Sequence, residues 1–134
     1  MTYTQTAAAT RSDTGTERPV LLLVEDDPEV GSLIAEMLED VDCDVVTATS
    51  GESALALLER HPVRLAIVDQ SLPGMPGPMF VARARAGQPD LRAIYISGAP
   101  LEAAASSDPV LLKPFRAAQL QATVTAMLQL HPAG

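Results

Sequence analysis

Two hydrophobic periods alternate along the chain from Val20 onward. Val20-Leu-Leu-Leu-Val24 is a continuous apolar run that ends in acid, the pattern of a strand buried on both faces. Val30, Leu33, Ile34, Met37, Leu38 and Val41 then recur at helical spacing, with Pro28 placed for a first turn. Asp44 to Ala48 reads as a second, shorter strand. Ser50 is positioned to cap a helix from about Gly51 to Arg60, which His61-Pro62 stops. Leu65-Ala-Ile-Val68 is a third strand, ending at Asp69. A Gly/Pro-rich loop, Leu72 to Pro78, leads into a third helix through about Ala86, and Gly87-Gln-Pro89 breaks it. Leu91 to Ile96 and Val110 to Leu112 are predicted as the fourth and fifth strands. The last helix spans about Arg116 to Leu130, with Leu120, Val124, Met127 and Leu128 on one face.

This is a (βα)5 pattern, and such alternation requires a parallel sheet with helices on both faces, a doubly wound α/β domain. Residues 1–18 hold six threonines and no Leu, Ile, Val or Phe. They cannot bury enough surface to offset their ordering entropy, so the expected organisation is a flexible tail over 1–18 and one domain over 19–131. The chain is 134 residues long, the length of a single domain. No repeat of 20–50 residues is visible, which excludes a solenoid.

Charge and composition narrow the function. The longest apolar run, Pro19 to Val24, is far short of the roughly 20 residues that cross a bilayer, so no membrane role is expected. No signal segment is visible, and the single cysteine, Cys43, excludes an intrachain disulfide or a cysteine-built metal site; a buried thiol without a role and a cytoplasmic setting are expected. Net charge is −8, which argues against nucleic-acid binding. Nine carboxylates and no basic residue lie between Glu25 and Asp44. Glu36, Glu39, Asp40, Asp42 and Asp44 are read as a solvated face. Eight arginines accompany a single lysine, Lys113.

In a doubly wound fold the crevice lies at the carboxyl ends of the strands. Those ends carry Glu25-Asp26-Asp27, Asp69, Ser97-Gly98 and Lys113-Pro114. If the first and third strands are neighbours, three carboxylates converge, and they repel unless a cation sits between them. Carboxylate oxygens with water suit Mg²⁺. An aspartate beside Mg²⁺, a lysine and a hydroxyl is equipped to accept a phosphoryl group: it is already ionised, and the cations neutralise the transferring oxygens. No histidine base is needed; His61 and His131 lie at a helix end and in the tail.

Four segments, Leu22-Leu-Val-Glu-Asp-Asp-Pro28, Ile67-Val-Asp-Gln-Ser-Leu-Pro-Gly-Met-Pro-Gly77, Ile96-Ser-Gly98 and Leu112-Lys-Pro-Phe115, occur in order, each at a strand's end. Together they strongly resemble the receiver domain of two-component response regulators, over about Val20 to Leu130. The resemblance implies a flavodoxin-like fold with strand order 2-1-3-4-5. It implies a phosphoacceptor at Asp69, a direct Mg²⁺ ligand at Asp26, and Glu25 reaching the metal through water. Asp27, one place beyond the acidic pair, is expected to be solvated. Ser71 would lend its backbone carbonyl to the metal, Ser97 would be the switch hydroxyl with Gly98 behind it, and Lys113 would hold the phosphoryl group before a cis Lys113-Pro114 bond. The partner implied is a sensor histidine kinase or a histidine phosphotransfer protein. Gln70 and Ala99, flanking the site, are expected to tune hydrolysis through water access.

Two features depart from the family pattern. Only 15 residues separate Ser97 from Lys113, so a fourth helix within Pro100 to Asp108 is short or irregular, a style similar to receivers of hybrid histidine kinases and of some free-standing, chemotaxis-type single-domain regulators. Val110 stands three before the lysine, where an aromatic ring commonly turns inward as the switch hydroxyl moves. With no output domain expected after Leu130, the reading is a signalling switch that accepts a phosphoryl group from a phosphohistidine onto Asp69 and loses it by hydrolysis, not a turnover enzyme, acting by docking or as a phosphate sink. Met75 and Met79 are read as loop and core residues. The alternatives are a phosphorylation-independent adaptor, an aspartyl-nucleophile phosphatase and a flavodoxin-like electron carrier. The phosphatase would want a second aspartate where Ser71 stands, and the carrier a phosphate loop where Glu25-Asp26-Asp27 would repel one.

Overall fold

The computed structural model describes residues 18–98 and 108–129. The strands are β1 (Val20–Val24), β2 (Asp44–Ala48), β3 (Val63–Asp69), β4 (Arg92–Ser97) and β5 (Val110–Leu112). The helices are α1 (Pro28–Met37), α2 (Gly51–Leu58), α3 (Gly77–Gly87) and α4 (Ala117–Gln129). All strand pairs are parallel, in the order β2-β1-β3-β4-β5. The doubly wound parallel sheet expected from the hydrophobic pattern, and the flavodoxin-like strand order that the resemblance implies, are therefore the ones observed.

Alternation along each strand divides the core into two layers. Leu22, Val24, Ala66, Val68, Ala93 and Tyr95 face α2 and α3, where Ala54, Phe80, Val81 and Ala84 are buried. Leu21, Leu23, Leu65, Ile67, Ile94, Ile96 and Leu111 face α1 and α4, meeting Ile34, Leu38, Leu120 and Val124. The parallel sheet is covered on both sides, which is why β1 and β3 read as nearly unbroken apolar runs.

Local chemistry sets the helix ends. Asp27 accepts from the N–H groups of Glu29 and Val30, and Pro28 follows it in the first turn of α1. Ser50 and Ser53 form a reciprocal capping box at the start of α2. The predicted first helix, extending to Val41, instead ends at Met37 and tightens into a 3-10 turn over Leu38–Asp40. There Gln121 of α4 donates to the Met37 carbonyl at 2.7 Å, tying α4 to the end of α1. The second helix stops at Leu58, with the N–H groups of Arg60 and His61 both turned onto the Leu57 carbonyl.

Several side chains differ from their expected setting. Leu33, placed on the apolar stripe of α1, is exposed, because it lies at the edge of the stripe centred on Ile34 and Leu38. Met75 is buried and Met79 exposed, since the β3–α3 loop folds Met75 inward against α2 while Met79 sits on the outer side of α3. Asp44 is not solvated: it pairs with Arg18 Nε at 3.3 Å, and Arg18 also donates to the Cys43 carbonyl. Cys43 is buried, and burial pushes its thiol pKa up to about 11. The predicted tail, Ala99 and the predicted fourth helix fall outside the described residues, apart from Arg18 and Asp108 at their borders. Asp108 receives a bidentate pair from Arg85 at 2.9 and 3.1 Å, and Arg85 Nε donates to the Leu91 carbonyl, tying α3 to the approaches of β4 and β5.

Gly77 opens α3 directly against the end of β3. A Cβ there would stand 2.7 Å from the Asp69 carbonyl oxygen and 3.1 Å from Gln70 Cα, both backbone atoms. Gly77→Ala is expected to lower stability by roughly 1–3 kcal/mol in urea denaturation, the range for overpacking. Gly87→Ala, which meets open space, is expected to be neutral or stabilising. Equal midpoints for the two variants would show that the α3 entry yields freely.

Candidate functional site

The register of β1 on β3 pairs Val24 with Val68, so the next positions, Glu25 and Asp69, emerge side by side at the carboxyl end of the sheet. Glu25 is held by its N–H on the Ala48 carbonyl of β2, 3.0 Å away. Asp26 follows it and is exposed. Carboxylate oxygens of Glu25, Asp26 and Asp69 all lie within 4.8 Å of one another. Glu25 and Asp69 are each only 5% exposed.

Asp69 is held from two directions. Its Oδ1 accepts from the Ser71 N–H at 2.9 Å and the Ser71 hydroxyl at 3.2 Å, which sets the plane of the carboxylate. Its Oδ2 faces Lys113 Nζ at 3.5 Å. Lys113 reaches this place because β5 pairs with β4 and the Lys113 N–H bonds the Ser97 carbonyl at 2.9 Å, with a cis Lys113-Pro114 peptide following. The expected set Glu25, Asp26, Asp69, Ser71 and Lys113 is thus gathered in one place.

The predicted switch residue, Ser97, is buried at the end of β4, but its hydroxyl donates to the Gln70 side-chain carbonyl at 2.7 Å. The spacing of motifs along the chain does not disclose that partner; strand alternation does, since Gln70 and Ser97 both follow residues of the α2/α3 face. Asp27 is exposed as expected, yet it does more than face water. It caps α1, and its N–H donates to Glu25 Oε2 at 3.1 Å. An aspartate directly before Pro28 is a cap signal that could have been read from sequence.

Burial pushes the Glu25 pKa up to about 7; the Asp27 N–H opposes this, the Asp69 carboxylate adds to it, and Lys113 opposes it weakly. Glu25 Oε1 is buried with no hydrogen-bond partner. An orphaned carboxylate oxygen among two other carboxylates is an arrangement that a hard divalent cation relieves, both electrostatically and by coordination.

The model of the response regulator receiver domain family matches residues 21–125. The chain belongs to that family. Among curated relatives, the heme response regulator HssR of Staphylococcus aureus is 32% identical, over 81% of this chain and 50% of its own. The receiver domain here therefore spans about half the length of the curated relatives it matches. Among solved structures, the signal receiver domain of an HD domain-containing protein from Pseudomonas fluorescens Pf-5 matches with a TM-score of 0.78 and 27% identity, covering 84% of this chain and 96% of that one. The receiver domain of the hybrid histidine kinase CckA gives 0.72 and 30%, covering 82% and 99%. Vibrio cholerae CheY4, at 23% identity and a TM-score of 0.77, shares the fold. Receiver domains serve two-component systems, in which a histidine kinase is the general partner, and they bind Mg²⁺ at an acidic pocket. The donor set of Glu25, Asp26 and Asp69 fits that ion. No described helix is long and apolar enough to cross a membrane.

The raised Glu25 pKa sets a pH dependence. The folded state holds the proton up to about pH 7, whereas the unfolded chain releases it near 4.5, so stability falls as pH rises through that window. Glu25→Gln removes this dependence. In EDTA the variant is expected to match wild type near pH 4.5 and to exceed it above pH 7 by on the order of 1–3 kcal/mol in urea denaturation. Mg²⁺ should raise the wild-type melting temperature more at pH 8 than at pH 5. A stability difference independent of pH would place the effect elsewhere.

Proposed function

We propose that this receiver domain is a phosphorylation-dependent signalling switch that takes a phosphoryl group from a phosphohistidine onto Asp69. The observation that carries the reading is the setting of Asp69: a buried carboxylate with Glu25 and Asp26 on one side and Lys113 Nζ 3.5 Å away on the other. A carboxylate so placed is a poor structural element and a ready nucleophile.

An Asp69 oxygen attacks phosphorus in line. The P–N bond to the donor histidine breaks, its electron pair returns to the imidazole nitrogen, and the acyl phosphate O–P bond forms. Ser71 fixes the attacking carboxylate through its N–H and hydroxyl. The Lys113 ammonium neutralises charge on the phosphoryl oxygens as the bond to nitrogen lengthens. Ser97 would donate to one of those oxygens once its hydroxyl turns. Asp26 directly, Glu25 through water, Asp69 and the Ser71 carbonyl would hold Mg²⁺. When bound, Mg²⁺ neutralises the gathered carboxylates and the incoming phosphoryl oxygens. Water later attacks phosphorus, inorganic phosphate leaves, and Asp69 returns as a carboxylate. The transfer is self-directed, so the domain acts as a regulator and not as a turnover enzyme. The phosphoryl donor is a sensor histidine kinase or a histidine phosphotransfer protein; the net charge of −8 favours protein partners over nucleic acid, and the single cysteine accords with a cytoplasmic setting.

Intact-mass spectrometry after incubation with acetyl phosphate and Mg²⁺ tests this reading. Wild type is expected to gain one phosphoryl mass; Asp69→Asn and an EDTA-treated sample are expected to gain none. Lys113→Ala should slow adduct formation by about 10²-fold, the usual cost of losing one oxyanion-stabilising group. A wild type that forms no adduct and binds no beryllofluoride would return the domain to an adaptor role.

A further inference from the structure

The two-residue alternation of the strands divides the chemistry at their ends. Glu25 continues the Leu21 and Leu23 face, Asp69 the Leu65 and Ile67 face, and Lys113 the Leu111 face, all toward α1 and α4. Gln70 follows Ala66 and Val68, and Ser97 follows Ala93 and Tyr95, both toward α2 and α3. Asp69 pairs with Ile96 in the β3–β4 register, so Gln70 and Ser97 are the next lateral neighbours. Their backbones are pinned: the Gln70 N–H bonds the Ile96 carbonyl at 2.9 Å, and the Ser97 carbonyl accepts from the Lys113 N–H at 2.9 Å. The Gln70 carbonyl in turn accepts from Gly77 at the start of α3, 3.1 Å away. Across this fixed frame the Ser97 hydroxyl donates to Gln70 Oε1 at 2.7 Å.

We propose that Gln70 is a positioning residue that holds the Ser97 hydroxyl on the α2/α3 side of the sheet in the unphosphorylated domain, so that the phosphoryl group must win Ser97 from Gln70. The inference rests on the phosphoacceptor reading of Asp69 and goes beyond it. A hydroxyl has one proton to donate. While that proton is on Gln70 Oε1 it cannot serve a phosphoryl oxygen on Asp69, and the two bonds exclude one another. Ser97 is 4% exposed, so the exchange happens where water compensates little and each hydrogen bond counts for more. Gln70 is half-buried, so its carbonyl can turn to solvent when Ser97 leaves. The carboxamide thereby sets the threshold for the active state. Val110, the β5 residue where the family commonly has a ring, has no hydroxyl of its own to trade with Ser97. The partner that Ser97 gives up lies instead on the β3–α3 connection.

The test is the affinity of the Mg²⁺-loaded protein for beryllofluoride, a phosphoryl mimic, in wild type, Gln70→Met, Ser97→Ala and the double variant. Methionine keeps the length of glutamine without its carbonyl; Gln70→Ala is the second variant should methionine perturb folding, judged by thermal melting. Gln70→Met is expected to bind roughly two- to tenfold more tightly than wild type, the span of one net hydrogen bond. In the Ser97→Ala background the same change is expected to have no effect, which separates a hold on Ser97 from a general change in water access. Binding by Gln70→Met with silence from wild type would also support the hold. Equal affinities, weaker binding by Gln70→Met, or an effect that survives in Ser97→Ala would overturn it while leaving the phosphoacceptor reading intact. Silence from both wild type and Gln70→Met would overturn the hold; if the wild type also forms no adduct with acetyl phosphate, the phosphoacceptor reading falls with it.

Discussion

The parallel register of β1 on β3 is the constraint on which the rest depends. Each strand ends its apolar run one residue before an acid, and pairing Val24 with Val68 delivers Glu25 and Asp69 to the same edge and the same face. A slip of one residue would turn one carboxylate to the opposite layer, away from the other. It would also bring apolar side chains onto the wrong helices, so core packing and site geometry enforce the same alignment. The energetic burden of gathered carboxylates is thus carried by a central sheet whose inner residues are almost wholly buried.

Much of this was legible in the amino-acid order because the controlling signals are local or periodic. The apolar runs of β1 and β3 differ in kind from the three-and-four spacing of α1 and α4, and proline or serine marks the start of three helices. The acids, the serine and the lysine fall where strands stop, which is where a doubly wound fold places its crevice. What escaped were contacts set by tertiary packing. Leu33 keeps helical phase with Ile34 but lies at the margin of what the sheet covers. Met75 and Met79 are four residues apart in one apolar stretch, and only the path of the β3–α3 loop decides which turns inward. Asp44 lies in a run of acids with no basic neighbour in sequence, and the β1–β2 pairing brings Arg18, 26 positions earlier, beside it.

The site residues show the same division. Glu25, Asp26, Asp69, Ser71 and Lys113 are named by position in short motifs, and the structure brings them together. The hydrogen bond between Ser97 and Gln70 spans 27 residues and arises from strand order and alternation combined. Asp27 illustrates a reading that was right about exposure but incomplete about role. Its side chain caps α1 while its N–H supports the buried Glu25, so one residue links the helix entrance to the acidic cluster.

The solitary lysine has a consequence for how this domain can be modified. Apart from two histidines, arginine supplies every other basic side chain, so the ε-amine facing Asp69 is the single lysine target in this sequence. With a side chain 37% exposed, Lys113 is within reach of such chemistry. An acetyl group there would remove the positive charge and leave Asp69 with carboxylates as its nearest charged neighbours. The ammonium charge facing Asp69 thus rests on one modifiable nitrogen atom, with no second lysine in the sequence to share its place.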